Sequence, residues 1–247
     1  MLDQECNWEL PAPDLALCDN NIHVWLANLN LPDLRLQDMR QTLCDGEKER
    51  ADRFVFDVHR RRYIAGRGFL RMILARYVLK SPSELVFSYS PRGKPELVSN
   101  SSSEQLYFNV SHSHDLALYA VARNRCVGVD VERIESTSNV EQLAERYFFP
   151  KEFDVIRSMA PERKNEAFFK GWTVKEAYVK ATGEGLAEME QVELSMSADG
   201  PAVLLTIHDN PAATARWSSC QMRPSPGYMA ALVAEGQGWG VKHVLCV

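Results

Sequence analysis

Val127-Gly128-Val129-Asp130-Val131-Glu132 is the stretch on which the reading of this chain turns. It follows a run of apolar and small residues, Leu116 to Ala122, and its own pattern predicts a buried strand. Yet it carries two carboxylates. Residues i and i+2 of a strand point to the same face, so Asp130 and Glu132 stand side by side. Buried like charges are costly without a partner, and a cation between them removes the cost. A hard divalent ion such as Mg²⁺ suits the pair, because it takes carboxylate oxygens together with phosphate and water. The competing reading is a strand end whose acids face solvent.

The segments around it narrow the choice. Downstream, Phe168 to Thr182 reads as helix. Trp172, Glu176 and Lys180 recur at i, i+4 and i+8, so one helical face offers an aromatic platform, an anion and a cation. A solvated Glu–Lys pair beside a core tryptophan gives the same spacing. Upstream, Tyr107 to His114 alternates like a strand and runs into a polar turn. Ser111, His112 and Ser113 there offer hydroxyls and an imidazole suited to phosphate oxygens. Two prolines, Pro91 and Pro95, flank Arg92-Gly93-Lys94. They stiffen a tight bend that would aim Lys94 at a phosphate. Each of the last two also reads as an ordinary surface turn.

In this order the segments resemble the Sfp-type 4′-phosphopantetheinyl transferases. The match runs through Gly93-Lys94-Pro95, Asn109-Val110-Ser111-His112-Ser113 and Gly128-Val129-Asp130-Val131-Glu132. It goes on through Arg146-Tyr147-Phe148, Glu152, Trp172, Lys175-Glu176-Ala177, Lys180, Gly183 and Gly185, to Pro226-Gly227-Tyr228. It covers about residues 47 to 234. The resemblance implies transfer of the phosphopantetheine arm of coenzyme A to a serine of an apo acyl or peptidyl carrier protein. Adenosine 3′,5′-bisphosphate is the other product. It implies that Asp130, Glu132 and Glu176 hold Mg²⁺, with Mn²⁺ as a substitute. Lys180 would stabilise the phosphate under attack. His112, Ser111 and Lys94 would grip the 3′-phosphate and the pyrophosphate, with Arg50, Arg62 and Arg67 as further nucleotide contacts. Glu152 is the expected general base, with Glu176 or a metal-bound water as alternatives. Carrier docking is expected along Arg133 and Ile134 and on to Arg146-Tyr147-Phe148-Phe149.

Hydrophobic periodicity gives an α/β (α+β) chain: two long helices, Arg60 to Lys80 and Glu162 to Thr182, each packed on a small, mainly antiparallel sheet. Helix is also expected over Gln37 to Phe54, and over Leu143 to Met159 with a break near Pro150. Five strands are expected after residue 190. The resemblance adds pseudo-symmetry between the halves, joined near residues 114 to 124, with coenzyme A in the cleft. Residues 1–115 form the nucleotide side and 116–247 the metal and catalytic side.

A chain of 247 residues forms one large domain or two small ones. No apolar run reaches the ~18 residues a membrane span needs. Met1 to Asp14 has no basic residue and does not read as a signal peptide. Six scattered cysteines without C-x-x-C read as reduced, cytoplasmic thiols. The net charge of −5 divides into +7 over residues 48–80 and −12 elsewhere. A basic patch on an acidic chain suits a compact polyanion better than a nucleic acid. Both halves of the site lie on one chain, so a monomer is expected. Two other classes use similar residues: a Mg²⁺-dependent phosphohydrolase of a nucleotide pyrophosphate, and an inactive carrier- or coenzyme-A-binding module.

Overall fold

The computed structural model describes residues 4–98, 105–136 and 139–246. The Ser-rich loop expected over residues 99–104 lies outside them. A short β1 (Gln4–Glu5) precedes β2 (Asn21–Asn28). The helical stretch expected from residue 37 divides into α1 (Asp33–Gln41) and α2 (Asp45–Asp52). Cys44 between them is extended, and its N–H donates to Glu47 Oε2 at 3.1 Å, which starts the second helix afresh. The basic helix is α3 (Asp57–Val78), followed by a hairpin of β3 (Phe87–Tyr89) and β4 (Pro95–Leu97). Three strands then follow closely: β5 (Leu106–Ser113), β6 (Leu116–Arg123) and β7 (Val127–Arg133). Pro150 takes the first position of a new helix, so the next helical stretch breaks into α4 (Val140–Tyr147) and α5 (Pro150–Ser158). The second long helix is α6 (Pro161–Thr182). The tail supplies β8 (Val192–Ser195), β9 (Val203–Ile207), β10 (Trp217–Arg223), β11 (Tyr228–Glu235) and β12 (Gly240–Leu245).

Two four-stranded sheets form, in the orders β12-β2-β6-β5 and β1-β10-β11-β7. Both are antiparallel except at one edge, where β12 runs parallel to β2 and β1 parallel to β10. Chain order and sheet membership differ, because β6 and β12 complete the first sheet. The sheets pack face to face over Val24, Leu118, Ala120, Val129, Val131 and Leu232. Their outer faces are covered by the two 22-residue helices, α3 over the first and α6 over the second.

That sandwich explains the apolar run of β6, which is buried on both faces. Leu116, Leu118, Ala120 and Ala122 enter the inter-sheet core, while Ala117, Tyr119 and Val121 face α3. It also sorts β7. Val127, Val129 and Val131 point into the inter-sheet core, and the alternate residues Gly128, Asp130 and Glu132 turn toward α6. Gly128 is the contact point. A Cβ there would lie 2.0 Å from Ala177 O and 2.4 Å from Ala181 N. Only the missing side chain lets α6 lie this low on the strand. No helix among the described residues is long and apolar enough to cross a membrane.

Candidate active site

β5 and β7 are edge strands of different sheets, and side chains join them where the backbones do not pair. The N–H groups of Val129, Val131 and Arg133 donate to Asn109 Oδ1 (2.9 Å), Ser111 Oγ (3.2 Å) and Ser113 Oγ (3.1 Å). The two serines then act on the acids. Ser111 Oγ donates to Asp130 Oδ1 at 2.8 Å, and Ser113 Oγ to Glu132 Oε2 at 2.8 Å. Lys180 Nζ also donates to Ser111 Oγ at 2.9 Å. The Ser111 hydroxyl thus uses its proton and both lone pairs inside the protein. Ser111, expected as a phosphate grip, lines the cavity beside the acids, and in this structure its hydroxyl steadies Asp130 and seals the sheet seam.

Helix α6 completes the cluster. Lys180 Nζ lies 2.6 Å from Asp130 Oδ1, and Asp130 is only 2% exposed. Its Oδ2 is sealed from water and has no hydrogen-bond partner. Burial and the neighbouring Asp130 charge push the Glu132 carboxyl up to about 7. The same two causes raise Glu176. Burial lowers the His112 imidazole. A cavity of about 270 Å³ is lined by Val110, Ser111, His112, Asp130, Glu132, Glu176 and Lys180. Three carboxylates against one ammonium leave it short of positive charge. Its carboxylates and the orphaned Oδ2 are the donor type a hard divalent cation takes, although the ligand atoms of Asp130, Glu132 and Glu176 do not all lie within 4.8 Å of one another. Trp172 is not part of it. The ring stacks on Phe168 at 5.3 Å and meets Tyr147 edge-on, so it belongs to the α4–α6 core.

A larger cavity of about 460 Å³ adjoins the first and shares Val110 and His112 with it. Arg50, Arg62 and Arg67 line it beside Phe54 and Tyr63. Each guanidinium is already held. Arg62 Nε donates to Asp115 Oδ1 at 2.8 Å. Arg67 pairs with Glu47 and donates to the Tyr89 hydroxyl at 3.0 Å. Arg50 lies over the Tyr63 ring at 5.4 Å.

Two expected site residues stand elsewhere. Lys94 Nζ donates to the carbonyls of Lys180 (2.6 Å) and Ala181 (3.0 Å), so it caps the C-terminus of α6 and lines neither cavity. Burial lowers its ammonium. Glu152, expected as the base, is also placed away from both cavities. It is 1% exposed, pairs with Lys175 Nζ at 2.9 Å and accepts the N–H groups of Phe149 and Leu194. All its oxygens are engaged away from both cavities. Lys175, unassigned by sequence, is the other half of that buried pair and also donates to Val192 O at 2.6 Å. In the expected docking segment Phe148 is buried and Tyr147 packs on Trp172, while Arg133 and Arg146 are exposed. Residues 137–138 of that segment lie outside the described ones. Glu184, Glu188 and His208 form a separate group near the surface, with ligand atoms within 4.8 Å of one another.

Comparison with known proteins bears on this geometry. A model of the 4′-phosphopantetheinyl transferase superfamily matches residues 126–233, and one of the 4′-phosphopantetheinyl transferase N-terminal region matches residues 33–124. The 4′-phosphopantetheinyl transferase HetI of Nostoc sp. is 42% identical over 235 residues, 95% of this chain and 96% of that protein. The 4′-phosphopantetheinyl transferase psf-1 of Bacillus pumilus is 29% identical over 74% of this chain and 77% of its own length. A solved holo-[acyl-carrier-protein] synthase of Thermotoga maritima is 25% identical with a TM-score of 0.36, over 45% of this chain and 63% of its own. Matched along nearly its whole length, the chain belongs to the 4′-phosphopantetheinyl transferase family, enzymes that use coenzyme A to modify carrier proteins.

Proposed function

We propose that the two joined cavities carry out the family's reaction in this chain. The phosphopantetheine arm of coenzyme A passes to a serine of an apo acyl or peptidyl carrier protein, and adenosine 3′,5′-bisphosphate leaves. One observation carries the reading: an acidic cavity with a single lysine opens beside a cationic and aromatic cavity, with His112 lining both. The first suits a metal-bound pyrophosphate, the second an adenosine with its remaining phosphate.

Asp130, Glu132 and Glu176 would hold Mg²⁺ or Mn²⁺, which when bound neutralises charge on the pyrophosphate oxygens. Lys180 offers its ammonium to the phosphate under attack. Ser111 and Ser113 keep Asp130 and Glu132 oriented. His112 binds the nucleotide where the cavities meet, with Arg50, Arg62 and Arg67 behind it. The attacking serine must lose a proton, and Glu176, a carboxylate on the cavity wall, is the proposed acceptor. Residues 1–115 form the nucleotide side, from Arg50 to His112, and residues 116–247 the metal side, from Asp130 to Lys180. An active monomer is part of this proposal, because the acids of the metal side and the arginines of the nucleotide side are both encoded in this sequence. Six free cysteines support a reducing, cytoplasmic setting.

Mass spectrometry of an apo carrier protein incubated with coenzyme A and Mg²⁺ tests the reading. The carrier should gain one phosphopantetheine with wild-type enzyme and none with Asp130→Ala. Consumption of coenzyme A without carrier would mark a hydrolase. Near-normal transfer by Asp130→Ala would remove the acids from the mechanism.

A further inference from the structure

We propose that Lys94 is a positioning residue for the transfer step: its ammonium, held out on the β3–β4 turn, fixes the last turn of α6 and so sets where Lys180 stands against the phosphate. This rests on the role given to Lys180 above. The last four carbonyls of an α-helix have no partner within it, and the end frays unless something outside holds them. In α6 the Gly183 N–H donates to the carbonyl of Val179 at 2.9 Å. The carbonyls of Lys180 and Ala181 come next, and both accept from Lys94 Nζ. The ammonium therefore grips the backbone of the very residue whose side chain meets the phosphate. A cation at this end of a helix is also favoured by the helix dipole.

The turn that carries Lys94 is stiff. The Lys94 N–H donates to Ser90 Oγ at 3.1 Å, the Ser90 N–H to Lys94 O at 2.9 Å, and the Gly93 N–H to Ser90 O at 2.8 Å. Gly93 makes the bend with φ of 83°, which a side chain would oppose. The turn presents two side chains to the end of α6. A Cβ on Gly183 would lie 3.6 Å from Lys94 Cδ, and one on Gly185 would lie 3.7 Å from Arg92 Nη1. The same hairpin also touches the larger cavity. Pro95 lines its wall, and the Tyr89 hydroxyl accepts from Arg67. A single hairpin from the nucleotide side thus reaches the helix end that bears Lys180.

Lys180 is placed from several sides. Gly128 lets the helix down onto β7 beside Ala181. Ser111 and Asp130 hold the ammonium. Lys94 holds the carbonyl. Without Lys94, the last turn of α6 keeps its contact with the strand but loses what fixes its carbonyls. Glu176 lies one turn earlier in a helix that runs to Thr182, so its own carbonyl is taken up by the helix ladder. Loss of the Lys94 ammonium therefore acts on Lys180 and spares Glu176.

Steady-state transfer to an apo carrier protein, measured well below each variant's Tm, tests this. Lys94→Met keeps an unbranched stem and removes the ammonium. Its kcat should fall about 10- to 100-fold, the scale of an error of about 1 Å at a reacting group. The KM for coenzyme A and the Mg²⁺ concentration at half-activity should each stay within about twofold, because binding and metal ligation are left in place. Lys94→Arg, whose guanidinium can donate to both carbonyls, should recover most of kcat. If Lys94→Met does not fold, Lys94→Gln, with an amide donor, carries the same test. Unchanged kcat in the variant without the ammonium, or no recovery in Lys94→Arg, would overturn the inference. So would a Mg²⁺ requirement that rises in step with the loss of kcat, which would mark a general loosening of α6. Lys180→Ala separates this inference from the reading beneath it. Near-normal transfer by Lys180→Ala would remove Lys180 from the reaction, whereas a strong loss there beside an unchanged Lys94→Met would remove Lys94 alone.

Discussion

Replacing Gly128 with alanine should separate the two carriers of the active site. The added Cβ would lie 2.0 Å from Ala177 O and 2.4 Å from Ala181 N. Both neighbours are helix backbone, so no rotamer can give way. Helix and strand must part by more than about 1 Å to restore ordinary contact distances of ~3.5 Å. Overpacking of this kind costs about 1–3 kcal/mol, occasionally more. For a chain of 247 residues that is a drop in Tm of roughly 2–12 °C. The catalytic loss should be larger. Glu176 and Lys180 ride on α6, Asp130 and Glu132 on β7, and an error of about 1 Å between reacting groups can cost 10²-fold. The assay is transfer to an apo carrier protein well below the variant's Tm, alongside thermal unfolding. Gly46→Ala is the control, because its Cβ would meet nothing within 4 Å. A Gly128→Ala enzyme with wild-type stability and turnover would refute the claim that direct helix–strand contact sets the site.

Three further outcomes follow from the same geometry. Lys94→Met should lower Tm by uncapping α6 and should change the affinities for coenzyme A and dephospho-coenzyme A equally; a selective loss for coenzyme A would show that Lys94 reads the 3′-phosphate. Glu152→Gln should cost about 3–5 kcal/mol in urea unfolding, because it leaves Lys175 buried without its counter-ion. Turnover per folded molecule should hold, whereas loss of a general base would cost about 10²–10⁴-fold. The third outcome is a pH dependence. Glu132 has its carboxyl raised from 4.5 to about 7 in the folded state. Its contribution to the stability of the metal-free protein is therefore present below 4.5 and lost as pH rises through 7. Mg²⁺ affinity should move the opposite way, rising with pH up to about 7 and then levelling, as the carboxyl deprotonates. Metal titrations and urea unfolding of wild type and Glu132→Gln between pH 5 and about 8 would check both trends.

The alternation of β7 was legible because a strand has period two, and one apolar face with one acidic face leaves little freedom. The long helices were legible for the same reason at period 3.6. What escaped is contact between distant segments. Nothing in the sequence around Lys94 says that its ammonium ends on carbonyls 86 and 87 residues away. Glu152 and Lys175 look like surface charges until α5 and α6 bury them against each other. Trp172 shares a helical face with Glu176 and Lys180 by spacing, yet its ring leans back into the α4–α6 core. The Asn109-Val110-Ser111-His112-Ser113 pattern did carry a usable signal. Small polar residues at every second position of a buried strand ask for partners across an edge, and the partner was the edge of another sheet.

That seam between β5 and β7 turns three backbone amides into reporters. The amides of Val129, Val131 and Arg133 are protected by side chains rather than by a neighbouring backbone. Two of those side chains are the serines that steady Asp130 and Glu132. Any event that draws a carboxylate away from its serine must loosen the same hydroxyl's hold on a backbone N–H. Amide hydrogen exchange at Val131 and Arg133 is then a local gauge of how firmly each acid is seated. Val129, held by an asparagine with no hydrogen bond to either acid, supplies the baseline on the same strand.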